Sequence, residues 1–262
     1  MTPTMLTNDV TGKAITLSPS GLNDAFETPH LFWLHKKKNL AWPRGAFPTL
    51  PSGVDAVLKE RYDDARLAHA LPPELVGHGL TGLLEPDQLV VNKFRAGGKS
   101  MPKTVVTETV NSVLYGLTFQ GMVDDIVREA DGALTVYDNK TKGWAPKEEP
   151  EATLRYYGRQ ANGYALLFQA QGYKASGKAH FAYHYPVEAD TNELGALAIQ
   201  FKTQVVTVPC LAMTAERDLK AVIRLLVGPC PGIGMEHEKD AFLRDYAEAM
   251  GNNRPAREAT AA

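Results

Sequence analysis

Residues 121–141 read GMVDDIVREADGALTVYDNKT, and the way this stretch folds back on itself decides the architecture. Two apolar, β-branched runs, Gly121–Glu129 and Ala133–Lys140, flank Asp131-Gly132, a residue pair suited to the backbone of a tight turn. The spacing predicts an antiparallel hairpin. If its loop is Ala130-Asp131-Gly132, with Gly132 in a left-handed bulge, Glu129 opposes Ala133 and Asp124 lies across from Asp138. A two-residue loop would instead set Ala130 against Ala133 and Asp125 against Asp138. Hairpin arithmetic leaves both registers open. In either register two carboxylates share one face, and Lys140, two residues beyond Asp138, points the same way.

Like charges opposed in a sheet repel, so such a pair calls for a cation between them. Mg²⁺ or Mn²⁺ is the natural choice, because these hard ions take carboxylate, carbonyl and water oxygens. Asp124, Asp138 and the backbone carbonyl of Asn139 would leave room for water and a substrate phosphate. Such an ion acidifies water, and Lys140 beside it can orient the nucleophile or neutralise charge developing on phosphorus. Phosphodiester hydrolysis suits this arrangement.

Working outward, Val105–Val110 and Val113–Phe119 read as strands before the hairpin. After it, Thr153–Gln171 has Leu154, Tyr157, Ala161, Tyr164, Ala165 and Phe168 at helical spacing, with Gly172 as its stop. Strands at Ala179–Tyr185 and Ala196–Val208 follow, then a helix over Thr214–Val227. On the amino-terminal side, Ser18 reads as an N-cap with Pro19 at the first helical position, and Pro29 restarts that helix. Ala41–Pro51 reads as a loop, Ser52 as the cap of a helix reaching Leu67, and Asp87–Phe94 as a short helix. The fold class is α/β, a mixed sheet of roughly four to five strands flanked by helices, with an amino-terminal helical region. The hairpin excludes an all-parallel sheet.

The 262 residues are 44% apolar and 22% charged, enough for one large core and too apolar for disorder. Residues 1–13 and 251–262 have little to bury and are read as flexible ends of one domain, 14–250. Within it lie a helical region at 18–103, a catalytic core at 104–210 and C-terminal helices at 214–250. A formal net charge of −2 gives no global basic field, so any nucleic-acid site must be a local patch. Two cysteines, Cys210 and Cys230, are too few for a disulfide framework or an iron–sulfur cluster. No run reaches the apolar length of a membrane span, and the first residues lack the pattern of a signal peptide, so a cytoplasmic protein without a membrane partner is expected.

Gly121-x-x-Asp124, Asp138-x-Lys140-Thr141 at the end of an apolar strand, and Gln160-x-x-x-Tyr164 on the next helix resemble the RecB-like, CRISPR-associated-exonuclease-like branch of the PD-(D/E)xK nuclease superfamily. Ser18-Pro19-Ser20-x-Leu22 and Pro29-x-x-Phe32-Trp33-Leu34 resemble the start of that branch, so the likeness spans residues 16–170. It implies a restriction-endonuclease-like core and a Mg²⁺- or Mn²⁺-dependent DNA nuclease. Asp124 and Asp138 would be ligands, which settles the register in favour of Asp124, and Lys140 would be the catalytic lysine. Gln160 and Tyr164, four apart on one helical face, would contact DNA. Members that carry an iron–sulfur cluster place a cysteine where Thr28 stands and three near the carboxyl end, whereas Gly234–Asp245 has none, so no cluster is expected. An early-helix metal ligand is also implied. Asp55, Glu60 and His69 are the candidates, Asp55 first.

Lys142, Lys147, Arg155 and Arg159 bracket the proposed site and are the basic residues best placed for phosphates, with Lys142 and Arg159 preferred. Lys36-Lys37-Lys38 reads as a solvated face, as does Glu236-His237-Glu238. The function expected is an exonuclease or processing nuclease of recombination, repair, phage or CRISPR-associated systems acting on DNA. No Gly-x-x-x-x-Gly-Lys-Ser/Thr loop is present, so unwinding would need a helicase or other partner. The competing reading is a catalytically silent DNA-binding or scaffold subunit of the same fold.

Overall fold

The computed structural model describes residues 1–40, 49–98, 100–146, 150–191, 195 and 197–233. Lys147, the Glu236-His237-Glu238 cluster, the helices expected at 234–250 and the tail at 251–262 lie outside the described residues.

In chain order the elements are β1 (Thr4–Met5), β2 (Thr16–Leu17), α1 (Leu22–Glu27), α2 (Pro29–Lys38), α3 (Thr49–Leu67), a 3₁₀ turn (Pro73–Leu75), β3 (Leu83–Leu84) and α4 (Gln88–Phe94). Then come β4 (Lys103–Val110), β5 (Val113–Gln120), β6 (Asp125–Arg128), β7 (Leu134–Thr141), α5 (Pro150–Ala170), β8 (Ala175–Thr191), β9 (Leu197–Pro209) and α6 (Ala212–Val227). This is the mixed α/β architecture of a restriction-endonuclease-like core, with its strands divided between two sheets. One, of five strands, runs β3-β6-β7-β8-β9; in the other, β5 pairs antiparallel with β4 and parallel with β1 and β2.

The hairpin register is the first alternative. Arg128 pairs with Leu134 and Asp125 with Tyr137, while the Glu129 amide donates to the Ala133 carbonyl at 2.9 Å. Gly132 takes φ +80°, which a residue with a Cβ resists, and the Asp131 carboxylate accepts the Ala133 amide at 3.0 Å. The loop therefore has three residues, and one step beyond Asp125–Tyr137 Asp124 comes opposite Asp138.

β7 is buried through its first five residues because both of its faces are covered. Leu134 and Val136 enter the larger core with Phe168 of α5, Phe181 of β8 and Leu219 of α6. Tyr137 faces the other way, into a smaller core with Tyr62 of α3, Leu75 and Leu84. By the period-two rule Asp138 and Lys140 fall on the α5 side, and Asn139 falls on the α3 side.

Several local expectations are corrected. Residues 1–13, expected to fray, contribute β1, with Leu6 and Asn8 buried and Asp9 held by Lys37 and Lys38 at 2.6 and 2.9 Å. The lysine run is therefore drawn back onto the protein. The first helix begins at Leu22, since the Ser18 hydroxyl accepts the Gly21 amide at 3.2 Å and spends itself on the preceding turn. α3 includes Ser52 and Pro51 instead of starting at them. Pro29 does restart the chain as the first residue of α2.

Candidate metal and phosphodiester site

β5 ends at Gln120 and β6 begins at Asp125, so Asp124 stands at the mouth of the hairpin, where it is shaped by what packs behind it. A Cβ on Gly121 would lie 2.5 Å from Cδ of Pro19, and one on Gly163 of α5 would lie 2.8 Å from Phe119 and 3.1 Å from Cβ of Pro19. Pro19 is therefore a wedge between the Gly121-x-x-Asp124 turn and α5. The two glycines exist so that this wedge can seat. Val123 is held by Arg95 and its neighbours: its amide donates to the Phe94 carbonyl at 2.9 Å and its carbonyl accepts the Ala96 amide at 2.7 Å.

The carboxylate of Asp124 accepts the Asn139 amide at 2.9 Å. Burial, and then the Asp138 charge, push its pKa up to about 7 against the pull of that amide and of Lys140. Asp138 is buried on the facing strand, and burial raises its pKa too, with Lys140 opposing. The two carboxyl groups face each other, and each influences the other's protonation. The Lys140 ammonium ion-pairs with Asp138 and lies 4.5 Å from the ring centre of Tyr157 and 5.8 Å from that of Phe181. Burial alone would lower the Lys140 pKa, but the Asp138 charge outweighs it and the net shift is upward.

These residues fit a hard divalent ion. Asp138 Oδ2 is buried with the Lys140 ammonium as its ion-pair partner and no further hydrogen bond among the described residues, and opposed carboxylates are the donor set such ions prefer. Among the described residues no three His, Cys, Asp or Glu side chains converge, so carbonyl, water or substrate oxygens would complete the coordination. Of the early-helix candidates, Asp55 is the one whose charge raises the pKa of both Asp124 and Asp138, though it is paired with Lys59 at 2.6 Å. Glu60 is exposed on another face of α3, and His69, past the helix end at φ 51°, is exposed as well.

On α5, Gln160 Nε2 donates to the Tyr164 hydroxyl at 3.1 Å. The acids reach this pair: after burial, the Asp138 charge is the largest influence raising the Tyr164 pKa. Lys142 extends the line of Lys140, its ammonium 5.9 Å from the Tyr157 ring centre and 5.7 Å from that of Tyr183. Arg159 is not brought to the acids. One residue is about 100° around a helix, and that turn sends Arg159 onto the Phe26 ring at 4.4 Å and to Asp218 at 3.7 Å. The side chain of Asn139 faces α3, where Oδ1 hydrogen-bonds His184 at 3.0 Å and Tyr62 at 3.3 Å, leaving only its backbone toward the acids.

Sequence reasoning missed what holds Asp124 from behind. Asp125, fully buried on the α3 side, meets Arg66 at 2.5 Å and Arg95 at 3.2 Å. Period-two alternation does place Asp125 on the opposite face, and a carboxylate there needs counter-charge. Nothing local says that residues 66 and 95 supply it. Tyr157 packs against the core, stacked on Phe181 at 5.3 Å, and its ring also forms the floor beneath Lys140.

Opposed acids and a lysine at the end of a central hairpin are the kind of groups that metal-assisted phosphoryl transfer uses. The PD-(D/E)XK nuclease superfamily model matches residues 16–250, and the chain belongs to that superfamily, whose nucleases use divalent metal ions. No curated protein matches the chain. Among solved structures, one titled "Crystal structure of SSO0001" is similar at 17% identity and TM-score 0.36, over 84% of this chain and 79% of that one. No helix of the described residues is long and apolar enough to cross a membrane.

Proposed function

We propose that this protein is a Mg²⁺- or Mn²⁺-dependent deoxyribonuclease of the RecB-like branch, an exonuclease or processing nuclease in recombination, repair, phage or CRISPR-associated DNA metabolism. The observation that carries the reading is the Asp124–Asp138 pair, one half-buried and one buried acid pushed toward protonation with an ammonium beside them. Asp124, Asp138 and the Asn139 carbonyl would hold the ion, with Asp55 as a further ligand. When bound, the ion supplies an acidified water and charge neutralisation at phosphorus.

The chain's own residues do the rest. Lys140, kept charged by Asp138, stabilises the negative charge that develops on the phosphate oxygens. Tyr157 and Phe181 shield its ammonium from bulk water and fix its direction. Gln160 and Tyr164 present a joined amide and hydroxyl to the DNA beside the scissile bond, and Lys142 takes a neighbouring phosphate. The alternative is a catalytically silent DNA-binding or scaffold subunit, and one observation favours it: Asp55 is held by Lys59, and among the described residues no third acid converges on the pair.

End-labelled single- and double-stranded DNA incubated with Mg²⁺, Mn²⁺ or EDTA separates the two. Cleavage that needs the ion and disappears in Asp138→Ala is the result expected of the nuclease. DNA binding with no cleavage under any ion would favour the silent subunit.

A further inference from the structure

Arg95 closes α4 and is buried, yet its guanidinium joins two other segments, the start of the hairpin and α3. Nε donates to the Asp124 carbonyl oxygen at 3.3 Å and lies 3.2 Å from Asp125 Oδ2. Nη1 donates to Asp63 at 2.5 Å, and Nη2 donates to the Lys59 carbonyl oxygen at 2.8 Å. Lys59 is one turn after Asp55 and holds its carboxylate at 2.6 Å. The backbone of Arg95 is itself bridged to Val123, the residue before Asp124. One planar group thus ties the backbone of a carboxylate in the opposed pair to the helical turn that presents Asp55.

We propose that Arg95 is a positioning residue for the divalent cation, setting the spacing between Asp124 and the Asp55 turn of α3. The inference rests on the reading that Asp124 and Asp138 bind such an ion. Only a fork can act this way: a guanidinium has donors in fixed directions for the Asp124 carbonyl, Asp63 and the Lys59 carbonyl at once, whereas an ammonium is a point charge. Arg66 is the natural comparator. It meets Asp125, Asp63 and the Glu85 carbonyl, and makes no contact with Asp124 or Lys59 in the hydrogen bonds and ion pairs described. Arg66 therefore braces the same cluster without linking the two ligand-bearing segments.

Calorimetric Mn²⁺ titration of wild type, Arg95→Lys and Arg66→Lys, with thermal melts and with cleavage rates measured against Mn²⁺, tests this. Arg95→Lys is expected to raise the Mn²⁺ dissociation constant about 10–100-fold, the range for a lost second-layer contact, and to raise the half-saturating Mn²⁺ more than it lowers kcat. Arg66→Lys is expected to lower Tm and leave Mn²⁺ affinity within about twofold. Asp55→Asn, at a half-buried position that leaves Arg95 intact, is expected to weaken Mn²⁺ binding, and to add nothing further when combined with Arg95→Lys. Wild-type affinity in Arg95→Lys, equal losses in both arginine variants, or unchanged affinity in Asp55→Asn would overturn the positioning role alone. Wild type that takes up no Mn²⁺ would overturn the cation reading and this inference with it.

Discussion

Asp124 is held above its ordinary pKa of 3.8, near 7, by burial and by Asp138. Between those values the folded protein retains a proton that the unfolded chain has lost, so this group's contribution is present at low pH and fades as pH rises through about 7. On the proposed reading a divalent ion would replace that proton. The Tm gain on adding Mn²⁺ should therefore be small at pH 5.5 and grow toward pH 8. His180 and His184, whose pKa burial lowers to about 4, cost stability in the opposite direction below pH 6.5, which is why the gain and not the raw Tm is the quantity to compare. A gain that is flat across that range would remove Asp124 from the ion's site. The glycines of α5 give a second residue-scale test. At Gly158 an added methyl meets only the movable end of Leu154 at 3.0 Å, so Gly158→Ala should stabilise by up to about 1 kcal/mol through helix propensity. At Gly163 the same methyl meets Phe119 at 2.8 Å and the Pro19 backbone at 3.3 Å, and overpacking should reverse the sign to a loss of about 1–3 kcal/mol. Denaturant melts of the two variants check the contrast, and equal shifts would contradict the Pro19 wedge.

The hairpin shows how far sequence reaches at the scale of elements. Asp131-Gly132 marks the turn plainly, yet whether Ala130 joins the loop depends on the Gly132 φ of +80° and the Asp131 side-chain bond to Ala133, and a one-letter string carries neither. Family likeness and the structure select the same register. Helix α5 was legible as an element and only half legible as a face: Tyr157, Gln160 and Tyr164 turn toward the acids, while Arg159 turns toward α1 and α6 because Phe26 and Asp218 wait there. The two basic candidates should therefore part company. Lys142→Ala should weaken DNA binding uniformly across sequences and reduce the salt slope by about one, and Arg159→Ala should leave both unchanged while costing about 0.5–1 kcal/mol of stability. Salt-dependent binding isotherms decide this, and a reduced slope in Arg159→Ala would return that residue to the DNA surface.

At the scale of the whole molecule, the type and order of the longer elements followed from periodicity, while the two-residue strands β1, β2 and β3 and the division into two sheets did not. The split arises because Val123 bonds to the end of α4 instead of a strand, and because short β1 and β2 add to β5 from the far amino terminus. Pairings of only two residues each carry no pattern that distinguishes them from loop. The cluster of buried Asp125, Arg66 and Arg95 with half-exposed Asp63 was illegible for a related reason: its members lie on β6, α3 and the end of α4, brought together only by the closed fold. The proposed site likewise assembles from the residue before β6 and from β7, α3 and α5, and on the proposed reading its chemistry would depend on a divalent ion held between two strands. Mn²⁺ binding measured by calorimetry on wild type and on Asp138→Asn tests that dependence most directly. The account predicts a bound ion in the wild type and, in a variant that melts as a folded protein, a loss of affinity exceeding about 100-fold, beyond what outer contacts cost. An Asn variant that takes up Mn²⁺ as tightly as the wild type would contradict it.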